Sequence, residues 1–428
     1  MRHLVSLVGC FVLLGIAWLM SNNKRQINYR VVGWGLLMQF IFALLILKTT
    51  PGKALFFYAK AAITKLLSFT DAGAAFLFGT LYRGDPDIVK GIGGGGPYQI
   101  WDPASSQFIN IGVVFAIHVL PTIIFFASLM SILYHLGIMQ KIVKAVAWVM
   151  AKFMGTSGAE SLSVASNIFV GQTEAPLVVK PFVADMTMSE LMAVMTGGFA
   201  TIAGGVMAAY VRFGADAGHL MAASVMSAPA ALVMAKLVFP EVGEPKTKGD
   251  LKIGLEKTTT NVVDAAASGA ADGLKLALNV GAMLLAFIAF IAMFDYGLLK
   301  LGGLFGIADL SLKKLLGYAF APLALLMGVE TGDVLKFGYL LGTKISINEF
   351  VAFVQLGQWH DQLSPRTFTI ATYALCGFAN FSSIAIQIGG IGGIAPSRKH
   401  DLAKLGLKAM IAGALASWLT ATIAGILI

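Results

Sequence analysis

The sequence predicts an all-α polytopic membrane protein with about eight transmembrane helices plus two re-entrant hairpins in an inverted repeat. The 428-residue chain is 57% hydrophobic and only 12% charged, about half the charged fraction of a soluble domain. Apolar runs long enough to cross a bilayer recur along the whole chain. Two apolar stretches are interrupted at corresponding places, which predicts discontinuous helices related by internal symmetry.

Eight apolar runs are long enough to span a membrane. They lie near residues 4–20, 30–49, 109–137, 190–212, 218–239, 274–298, 367–391 and 403–427. The mixed segment 50–107 contains amphipathic stretches such as 54–67, which predict interfacial helices and an external loop. The glycine-rich stretch 91–97 lacks the Gly-Lys-Ser/Thr ending of a phosphate-binding loop, so we expect a surface turn there.

The net charge of +9 comes from basic residues in short segments between apolar runs. They cluster at four places: Lys24, Arg25 and Arg30; Lys141, Lys144 and Lys152; Lys246, Lys248, Lys252 and Lys257; and Arg398, Lys399, Lys404 and Lys408. The positive-inside rule makes all four clusters cytoplasmic and puts both termini outside. We therefore expect a multi-pass protein of the cytoplasmic membrane that contacts lipid and binds no nucleic acid.

The cysteines and the N-terminal segment exclude a disulfide-stabilised protein and a cleaved signal peptide. Cys10 and Cys376 both lie inside apolar segments, which excludes a disulfide framework, and no zinc-ligand spacing occurs. The first apolar run lacks a basic region followed by a small-residue cleavage site, so it reads as a retained helix. No cofactor is expected.

An internal repeat is predicted from two broken regions, 139–183 and 308–353. Some 25 to 30 residues after a glutamate in each region, Gly-Phe-Ala and a polar residue recur, at 198–201 and at 377–380. So short a match arises easily by chance in an apolar chain. The shared order of hairpin, buried glutamate (Glu174 or Glu349), broken helix and further helix favours a true inverted repeat.

Three groups of polar residues lie where the membrane interior is expected. They are Gln172, Thr173 and Glu174; Asn348 and Glu349; and Phe378, Asn380 and Ser383. A charged side chain at this depth costs about 2.5–3.5 kcal/mol, so such residues are functional by default. The alternatives are a structural cap at the first hairpin and core packing for Phe378. Carboxylates, amides, hydroxyls and a ring together suit a neutral solute with vicinal hydroxyls and a flat ring.

At these motifs the chain resembles the concentrative nucleoside transporter family over nearly its full length. The matching stretches are Gly171-Gln172-Thr173-Glu174-Ala175-Pro176-Leu177, Gly342-x-Lys344-x-x-x-Asn348-Glu349-Phe350-Val351-Ala352 and Cys376-Gly377-Phe378-Ala379-Asn380-Phe381-Ser382-Ser383. The resemblance implies eight transmembrane helices and two re-entrant hairpins in a homotrimer. It implies secondary active symport of nucleosides driven by sodium, by an elevator-like or rocking movement.

The resemblance also implies roles for individual residues. The nucleobase would meet Gln172, Thr173, Glu174, Val206, Leu276 and Phe378. The ribose would be held by Glu349, Asn380 and Ser383. A sodium ion would be bound by the side chains of Asn167 and Thr201 and the carbonyls of Val170 and Ile202. Thr201 stands where a serine is expected, but it keeps the hydroxyl, and oxygen ligands of this kind suit a hard cation.

The expected domain organisation follows from the repeat. Residues 1–107 would supply scaffold helices with interfacial and external segments, and 108–138 a scaffold transmembrane helix. Residues 139–240 would form transport-domain repeat 1, and 308–428 transport-domain repeat 2, each with a hairpin, a broken helix and a helix. Residues 241–307 would form a cytoplasmic linker and a scaffold helix.

Three other readings remain open. Proton coupling would use Glu174 or Glu349 as the titrating group. An intramembrane enzyme would use these two glutamates as catalytic carboxylates, although no metal motif, nucleophile elbow or phosphate loop accompanies them. A passive channel is disfavoured by hairpins that close over a site. We expect a transporter and no enzyme.

Overall fold

The computed structural model describes residues 2–82, 99–104, 106–110, 114–248, 259–307 and 309–428. The glycine-rich stretch 91–97 lies outside these residues. The helices of the first half are α1 (Arg2–Leu19), α2 (Tyr29–Lys48), α3 (Thr50–Ser68), α4 (Thr70–Phe78), α5 (Phe115–His118), α6 (Leu120–His135), α7 (Ile138–Met154), α8 (Gly158–Ser166), α9 (Lys180–Val183), α10 (Met188–Ala200), α11 (Gly204–Arg212) and α12 (Ala217–Val238). Those of the second half are α13 (Val262–Leu304), α14 (Leu312–Leu326), α15 (Val334–Ser346), α16 (Glu349–Gln358), α17 (Pro365–Leu375), α18 (Phe381–Ile394) and α19 (Lys399–Leu427).

The predicted helical fold is confirmed, with one exception. Two short antiparallel strands, β1 (Gln99–Asp102) and β2 (Gln107–Asn110), pair within the segment expected to form an external loop, with Ile100 opposite Ile109. Isoleucine, tryptophan and phenylalanine favour extended backbone. The two strands contain only four such residues, too few to predict strands in a chain this apolar.

Seven helices within the described ranges are long and apolar enough to cross a membrane. They are Tyr29–Lys48, Lys60–Phe78, Phe115–His135, Met188–Arg212, Ala217–Val238, Val262–Leu304 and Pro396–Leu427, and the shorter His3–Leu19 and Phe381–Ile394 are also apolar. These include a counterpart of every predicted span, the seventh of them divided between α17 and α18. Lys60–Phe78 is an addition, because its apolar second half raises the hydropathy of a segment expected to be interfacial.

The core is organised around α12 and α19, which pack against each other and against α1 and α10. Within the membrane-span window of Ala217–Val238, 89% of residues are buried, against 17% for Val262–Leu304. The long helix α13 packs mainly along α6 and leaves much of its apolar surface exposed on the single chain.

Two helical hairpins enter this core, and both are shorter than the predicted broken regions. The first covers 158–183 (α8, a 3₁₀ turn at Ala175–Val179, and α9) and the second covers 334–358 (α15 and α16). The preceding parts of the broken regions form the separate helices α7 and α14. Gly155 adopts φ +77° after α7, a left-handed conformation that ends helices and is easiest for glycine.

The two hairpins open toward opposite ends of the molecule. The chain leaving the first hairpin accepts hydrogen bonds at the carbonyls of Ala184 and Met186 from Arg398, at the start of α19. The base of the second hairpin lies beside Ser364, whose amide donates to Asp333 at 3.0 Å. Arg366, two residues later, bonds the carbonyl of Gly425 near the end of α19. The inverted arrangement expected from the repeat is therefore present in these contacts.

Candidate functional site

Each repeat contains a helix that stops in the middle of the core and then resumes. In the first repeat α10 ends at Ala200, Thr201 is extended with φ −123° and ψ 170°, and α11 starts at Gly204. In the second repeat α17 ends at Leu375 and α18 starts at Phe381. The breaks fall at the two Gly-Phe-Ala motifs, and they leave backbone groups free to bond other partners.

Gly377 allows the two breaks to touch. It has φ +152°, and a Cβ built on it would lie 2.7 Å from the carbonyl oxygen of Phe199, so only glycine fits. The amide of Phe378 then donates to the carbonyl of Thr201 at 3.3 Å. The broken helices of the two repeats are thus joined directly, backbone to backbone.

Hydrogen bonds link the second hairpin tip to the second break. Asn348 caps α16 by accepting a bond from the amide of Val351 at 2.9 Å, and this places Glu349 at the first position of the helix. Glu349 Oε2 accepts a hydrogen bond from Asn380 Nδ2 at 3.0 Å. Asn380 Oδ1 in turn accepts from the amide of Ser383 at 2.9 Å and caps α18.

The first hairpin tip reaches the same place from the opposite side. Gln172 is 7% exposed, and its Nε2 donates to Ser383 Oγ at 3.1 Å. Gln172, Ser383, Asn380 and Glu349 therefore form a continuous polar chain in which Glu349 is 5% exposed and the others are also buried. The three predicted groups therefore meet through Gln172, Glu349, Asn380 and Ser383.

Thr173 and Glu174 do not join this chain. The methyl group of Thr173 packs on α18, since a Cβ at Gly390 would lie 2.6 Å from it. Glu174 was expected to be buried and is instead exposed on the single chain. Its carboxylate turns back over Gly171, whose missing side chain leaves the room, with Oε2 only 2.2 Å from the position of a Cβ there. This arrangement avoids the cost of desolvating an unpaired charge.

The apolar residues expected at the nucleobase lie beside the first break. Val206 is 3% exposed on α11. Leu276 on α13 is partly buried, and its Cδ2 lies 3.7 Å from the Cβ position of the neighbouring Gly205. Phe378 in the second break is half-buried.

Asn167 has the unsatisfied oxygen that a cation would need. It is fully buried, its Nδ2 donates to the carbonyl of Ser163 at 3.2 Å, and its Oδ1 has no hydrogen-bond partner among the described residues. Asn167 Nδ2 also lies 3.3 Å from the Cβ position of Gly197, whose carbonyl accepts from Thr201 Oγ1 at 3.0 Å. Val170 and Ile202 occupy the adjoining non-helical segments. Such a set of uncharged oxygens fits a hard cation.

Three buried polar residues near the site were given no role in the sequence analysis. Tyr210 on α11 donates to Glu349 Oε1 at 3.0 Å, and Gln387 on α18 donates to Gln172 Oε1 at 3.0 Å. Lys344 on α15 is fully buried, and its Nζ donates to the carbonyl of Ala374 and to Ser417 Oγ at 2.8 and 2.7 Å. A signal existed for Gln387, which lies one turn after Ser383 on an otherwise apolar helix. Tyr210 could not be told from a packing residue.

The base of the first hairpin is fixed by interlocked helix caps. Ser157 and Glu160 form a capping box at the start of α8, and Thr187 and Glu190 form one at the start of α10. Ser157 Oγ donates to Glu190 Oε1 at 2.6 Å and joins the two boxes. Further contacts through α12 and the segment after it close a ring of six residues: Ser157, Glu160, Lys236, Glu241, Thr187 and Glu190.

Comparison with known protein families gives three matches along the chain. Residues 219–425 match the C-terminal part of the Na+ dependent nucleoside transporter family, residues 8–81 match its N-terminal part, and residues 116–217 match a gate domain described by nucleoside recognition.

Similar proteins occur in bacteria and in animals. An uncharacterized transporter of Haemophilus influenzae is 45% identical over 100% of this chain and 98% of its own length. Sodium/nucleoside cotransporter 1 of Mus musculus is 42% identical over the whole of this chain, which spans 64% of the mouse protein. The solved structure of CNTnw in an inward-facing substrate-bound state is 42% identical, with a TM-score of 0.89 over 100% of this chain and 98% of that one.

Proposed function

Because this chain belongs to the family of Na+ dependent, concentrative nucleoside transporters, we propose that it imports nucleosides across the cytoplasmic membrane, driven by a sodium gradient. The family resemblance inferred from the three sequence motifs is confirmed, and the chain is a transporter rather than an enzyme. The observation that supports the substrate site best is the polar chain of Gln172, Ser383, Asn380 and Glu349, built from both hairpin tips and the second break.

We propose that this polar chain binds the two ends of a nucleoside. Glu349, Asn380 and Ser383 would accept and donate hydrogen bonds to the ribose hydroxyls. Gln172 would contact the base, with Thr173 and Glu174 at the hairpin tip beside it. Val206, Leu276 and Phe378 would cover the faces of the base. A site built around hydroxyl groups rejects analogues that lack them, because its own buried polar groups are then left unpaired.

Sodium would bind between the first hairpin tip and the first break, at Asn167, Val170, Thr201 and Ile202. The hydrogen bond from the Phe378 amide to the Thr201 carbonyl connects this proposed ion site to the segment that carries Asn380. An ion that orders Thr201 would therefore also order the ribose site. Coupling of this kind is reciprocal, so sodium and the nucleoside should each raise the affinity for the other.

The transport movement would carry both hairpins past a scaffold. We place the scaffold helices in 1–138 and 241–307, and the moving repeats in 139–240 and 308–428. CNTnw structures are described in inward-facing, intermediate and outward-facing states, which supports an elevator-like movement for this chain. The exposed apolar surface of α13 would be buried by the neighbouring protomers of a homotrimer and by lipid.

The orientation we propose puts the base of the first hairpin at the cytoplasmic side and both termini outside. Basic residues gather at that end of the molecule. Arg30 bonds the carbonyls of Lys152 and Phe153, Lys246 pairs with Asp185, and Arg398 bonds the chain leaving the hairpin. Such an accumulation is typical of the cytoplasmic face.

Uptake by the purified protein in liposomes tests the proposal. An inward sodium gradient should drive saturable accumulation of radiolabelled uridine, which should be recovered chemically unchanged. Accumulation driven by a proton gradient and indifferent to sodium would contradict the sodium assignment and favour the proton-coupled alternative. Equilibration without accumulation under either gradient would contradict symport.

A further inference from the structure

The carboxylate of Glu349 is held by a residue of the other repeat. Glu349 lies at the tip of the second hairpin, whereas Tyr210 belongs to α11 of the first repeat. The Tyr210 hydroxyl donates to Glu349 Oε1 at 3.0 Å, and Tyr210 is fully buried. Its ring stacks on Phe353 with 4.1 Å between centroids, so packing fixes the position of the hydroxyl independently of the hydrogen bond.

The side chain of Gln172 is also held by a residue of the other repeat, with the roles of the two repeats exchanged. Gln172 lies at the tip of the first hairpin, whereas Gln387 belongs to α18 of the second repeat. Gln387 Nε2 donates to Gln172 Oε1 at 3.0 Å and to the carbonyl of Met195 at 3.1 Å. Gln387 is fully buried, and its Nε2 lies 2.8 Å from the Cβ position of Gly198, so a side chain larger than glycine's at 198 would displace it.

Tyr210 and Gln387 each lie about two turns into the second half of a broken helix. The helices α11 and α18 are the second halves of the two broken helices. Tyr210 is the seventh residue of α11, counted from Gly204, and Gln387 is the seventh residue of α18, counted from Phe381. Each seventh residue therefore reaches the tip of the hairpin that the other repeat supplies.

These contacts orient two groups that otherwise have several rotamers. A buried carboxylate or amide binds a hydroxyl well only if its remaining lone pairs and protons point at the ligand. Fixing them in advance lowers the entropy lost on binding. Tyr210 donates to Glu349 Oε1 and Asn380 donates to Glu349 Oε2, and a carboxylate with about four acceptor sites can still accept a hydrogen bond from a ligand.

We propose that Tyr210 and Gln387 are a matched pair of positioning residues, each orienting the substrate-binding side chain of the opposite hairpin. Tyr210 acts through Glu349 and determines recognition of the sugar, and Gln387 acts through Gln172 and determines recognition of the base. This inference rests on the proposed nucleoside function. It adds two residues to the site and divides their effects between the two ends of the ligand.

The first test compares Tyr210→Phe with a control, Tyr373→Phe, in equilibrium binding of uridine and 3′-deoxyuridine. Both substitutions keep the ring and remove one buried hydroxyl. The Tyr210 hydroxyl bonds Glu349, whereas the Tyr373 hydroxyl lies 3.1 Å from His219 Nδ1. Without the Tyr210 hydroxyl, Glu349 has to be oriented when the ligand binds, and the side-chain entropy lost then weakens binding about twofold to tenfold. Tyr210→Phe should therefore weaken uridine binding by this factor and 3′-deoxyuridine binding much less. Tyr373→Phe should leave both affinities within about twofold.

The second test uses Gln387→Met, which keeps the length of the side chain and removes its hydrogen bonds. Loss of a neutral hydrogen bond should weaken uridine binding about twofold to tenfold. The affinity ratio of uridine to adenosine should change, and the ratio of uridine to 3′-deoxyuridine should not. Tyr210→Phe should do the reverse, changing the sugar ratio and leaving the base ratio as in the wild type.

The outcomes separate this inference from the function on which it rests. A wild-type protein that binds no nucleoside overturns the proposed function. A wild-type protein that binds uridine while both variants keep its two affinity ratios overturns the positioning roles. Equal losses for every ligand, with a lowered melting temperature, would show that the two residues only stabilise the fold and would also overturn them.

Discussion

Glu349 is bonded by both repeats before any ligand arrives. It accepts one hydrogen bond from Tyr210 and one from Asn380. Both donors are neutral, and no cation lies within ion-pair distance of its oxygens among the residues the structure describes. Its charge is stabilised by these two hydrogen bonds and, from farther away, by the buried ammonium group of Lys344. Under the proposed function, a ligand with two hydroxyl donors would add the hydrogen bonds that the protein leaves unmade. This explains why a carboxylate, costly at this depth, is placed there.

Replacing this carboxylate should therefore weaken binding in a way that depends on the ligand. In Glu349→Gln an NH2 group replaces one carboxylate oxygen. Its hydrogens then face the donor hydrogen of Tyr210 or of Asn380, so that hydrogen bond is lost. We expect uridine affinity to fall at least tenfold and 3′-deoxyuridine affinity to fall much less. Titration calorimetry with both ligands measures the difference. Equal losses for the two ligands would remove Glu349 from the sugar site.

The unpartnered oxygen of Asn167 leads to a second prediction at this scale. Asn167→Ala should raise the sodium concentration for half-maximal uridine binding about tenfold, the effect of losing about 1.4 kcal/mol. Uridine binding at saturating sodium should be nearly unchanged, since Asn167 does not touch the polar chain. Sodium titrations of uridine binding measure both quantities.

The control for Asn167 is Ser166→Ala, at the preceding buried position, whose hydroxyl donates to the carbonyl of Leu162. That variant should keep the wild-type sodium dependence. An unchanged sodium dependence in Asn167→Ala would move the ion away from the first hairpin tip.

At the scale of elements, each hairpin is fixed at its base and meets the site at its tip. The ring through Ser157, Glu190 and Lys236 holds the base of the first hairpin, and it joins the starts of α8 and α10 to the end of α12. Lys236 is 5% exposed and pairs with Glu160, which is 1% exposed, at 2.6 Å. This ring fixes the direction in which α8 leads to Asn167.

Removing one partner of this buried pair should destabilise the protein strongly. Lys236→Met leaves the Glu160 carboxylate buried without a counter-charge, which typically costs about 3–5 kcal/mol. Lys246→Met is a matched control, because its pair with Asp185 is exposed, at 67% and 55% of the two side chains. Such surface pairs contribute about 0–1 kcal/mol.

Unfolding of the detergent-solubilised variants measures this difference. We expect a large fall in melting temperature for Lys236→Met and little change for Lys246→Met. Similar effects of the two substitutions would mean that the ring does not determine the stability of the hairpin base.

The sequence predicted a residue or a helix break in these elements only where the residue type was unusual for its surroundings or where a motif recurred. Gln172, Glu349 and Asn380 could be identified because polar groups inside an apolar span need a reason to be there. The breaks could be located because Gly-Phe-Ala recurs with a polar residue after it. Tyr210 could not, since a tyrosine between Ala209 and Val211 also suits core packing.

The starts of the hairpins and the exposure of Glu174 could not be predicted from the sequence, because both depend on tertiary structure. Both α7 and α14 are apolar enough to read as part of a broken membrane segment. Only tertiary packing separates them from the hairpins. The exposure of Glu174 depends on how its side chain turns over Gly171, which no periodicity encodes.

At the scale of the whole molecule, ion pairs join the predicted scaffold to the predicted moving part. Lys60 on α3 pairs with Asp216, and Asp71 on α4 pairs with Arg212. Asp216 and Arg212 flank the turn between α11 and α12. Under the proposed division of domains, these pairs are present in the conformation of this structure and have to separate when the repeats move.

If one sodium ion is coupled to each nucleoside, the two driving forces would limit how far the nucleoside is concentrated. A membrane potential of about 100 mV contributes roughly 2.3 kcal/mol per charge, and a tenfold sodium gradient adds roughly 1.4 kcal/mol. Accumulation should therefore reach a few hundredfold, and about tenfold when the potential is held at zero. Uridine uptake into liposomes with a potassium-clamped potential measures both limits. Accumulation that ignores the potential would contradict the net movement of one charge.

The most direct test of the central claim is equilibrium binding of uridine to the purified protein as sodium is varied at constant ionic strength, with choline as the replacement cation. We predict that sodium lowers the apparent dissociation constant of uridine, and that uridine lowers that of sodium by the same factor. A uridine affinity that is identical in sodium and in choline would contradict the account, because the ion site and the nucleoside site would then not be connected.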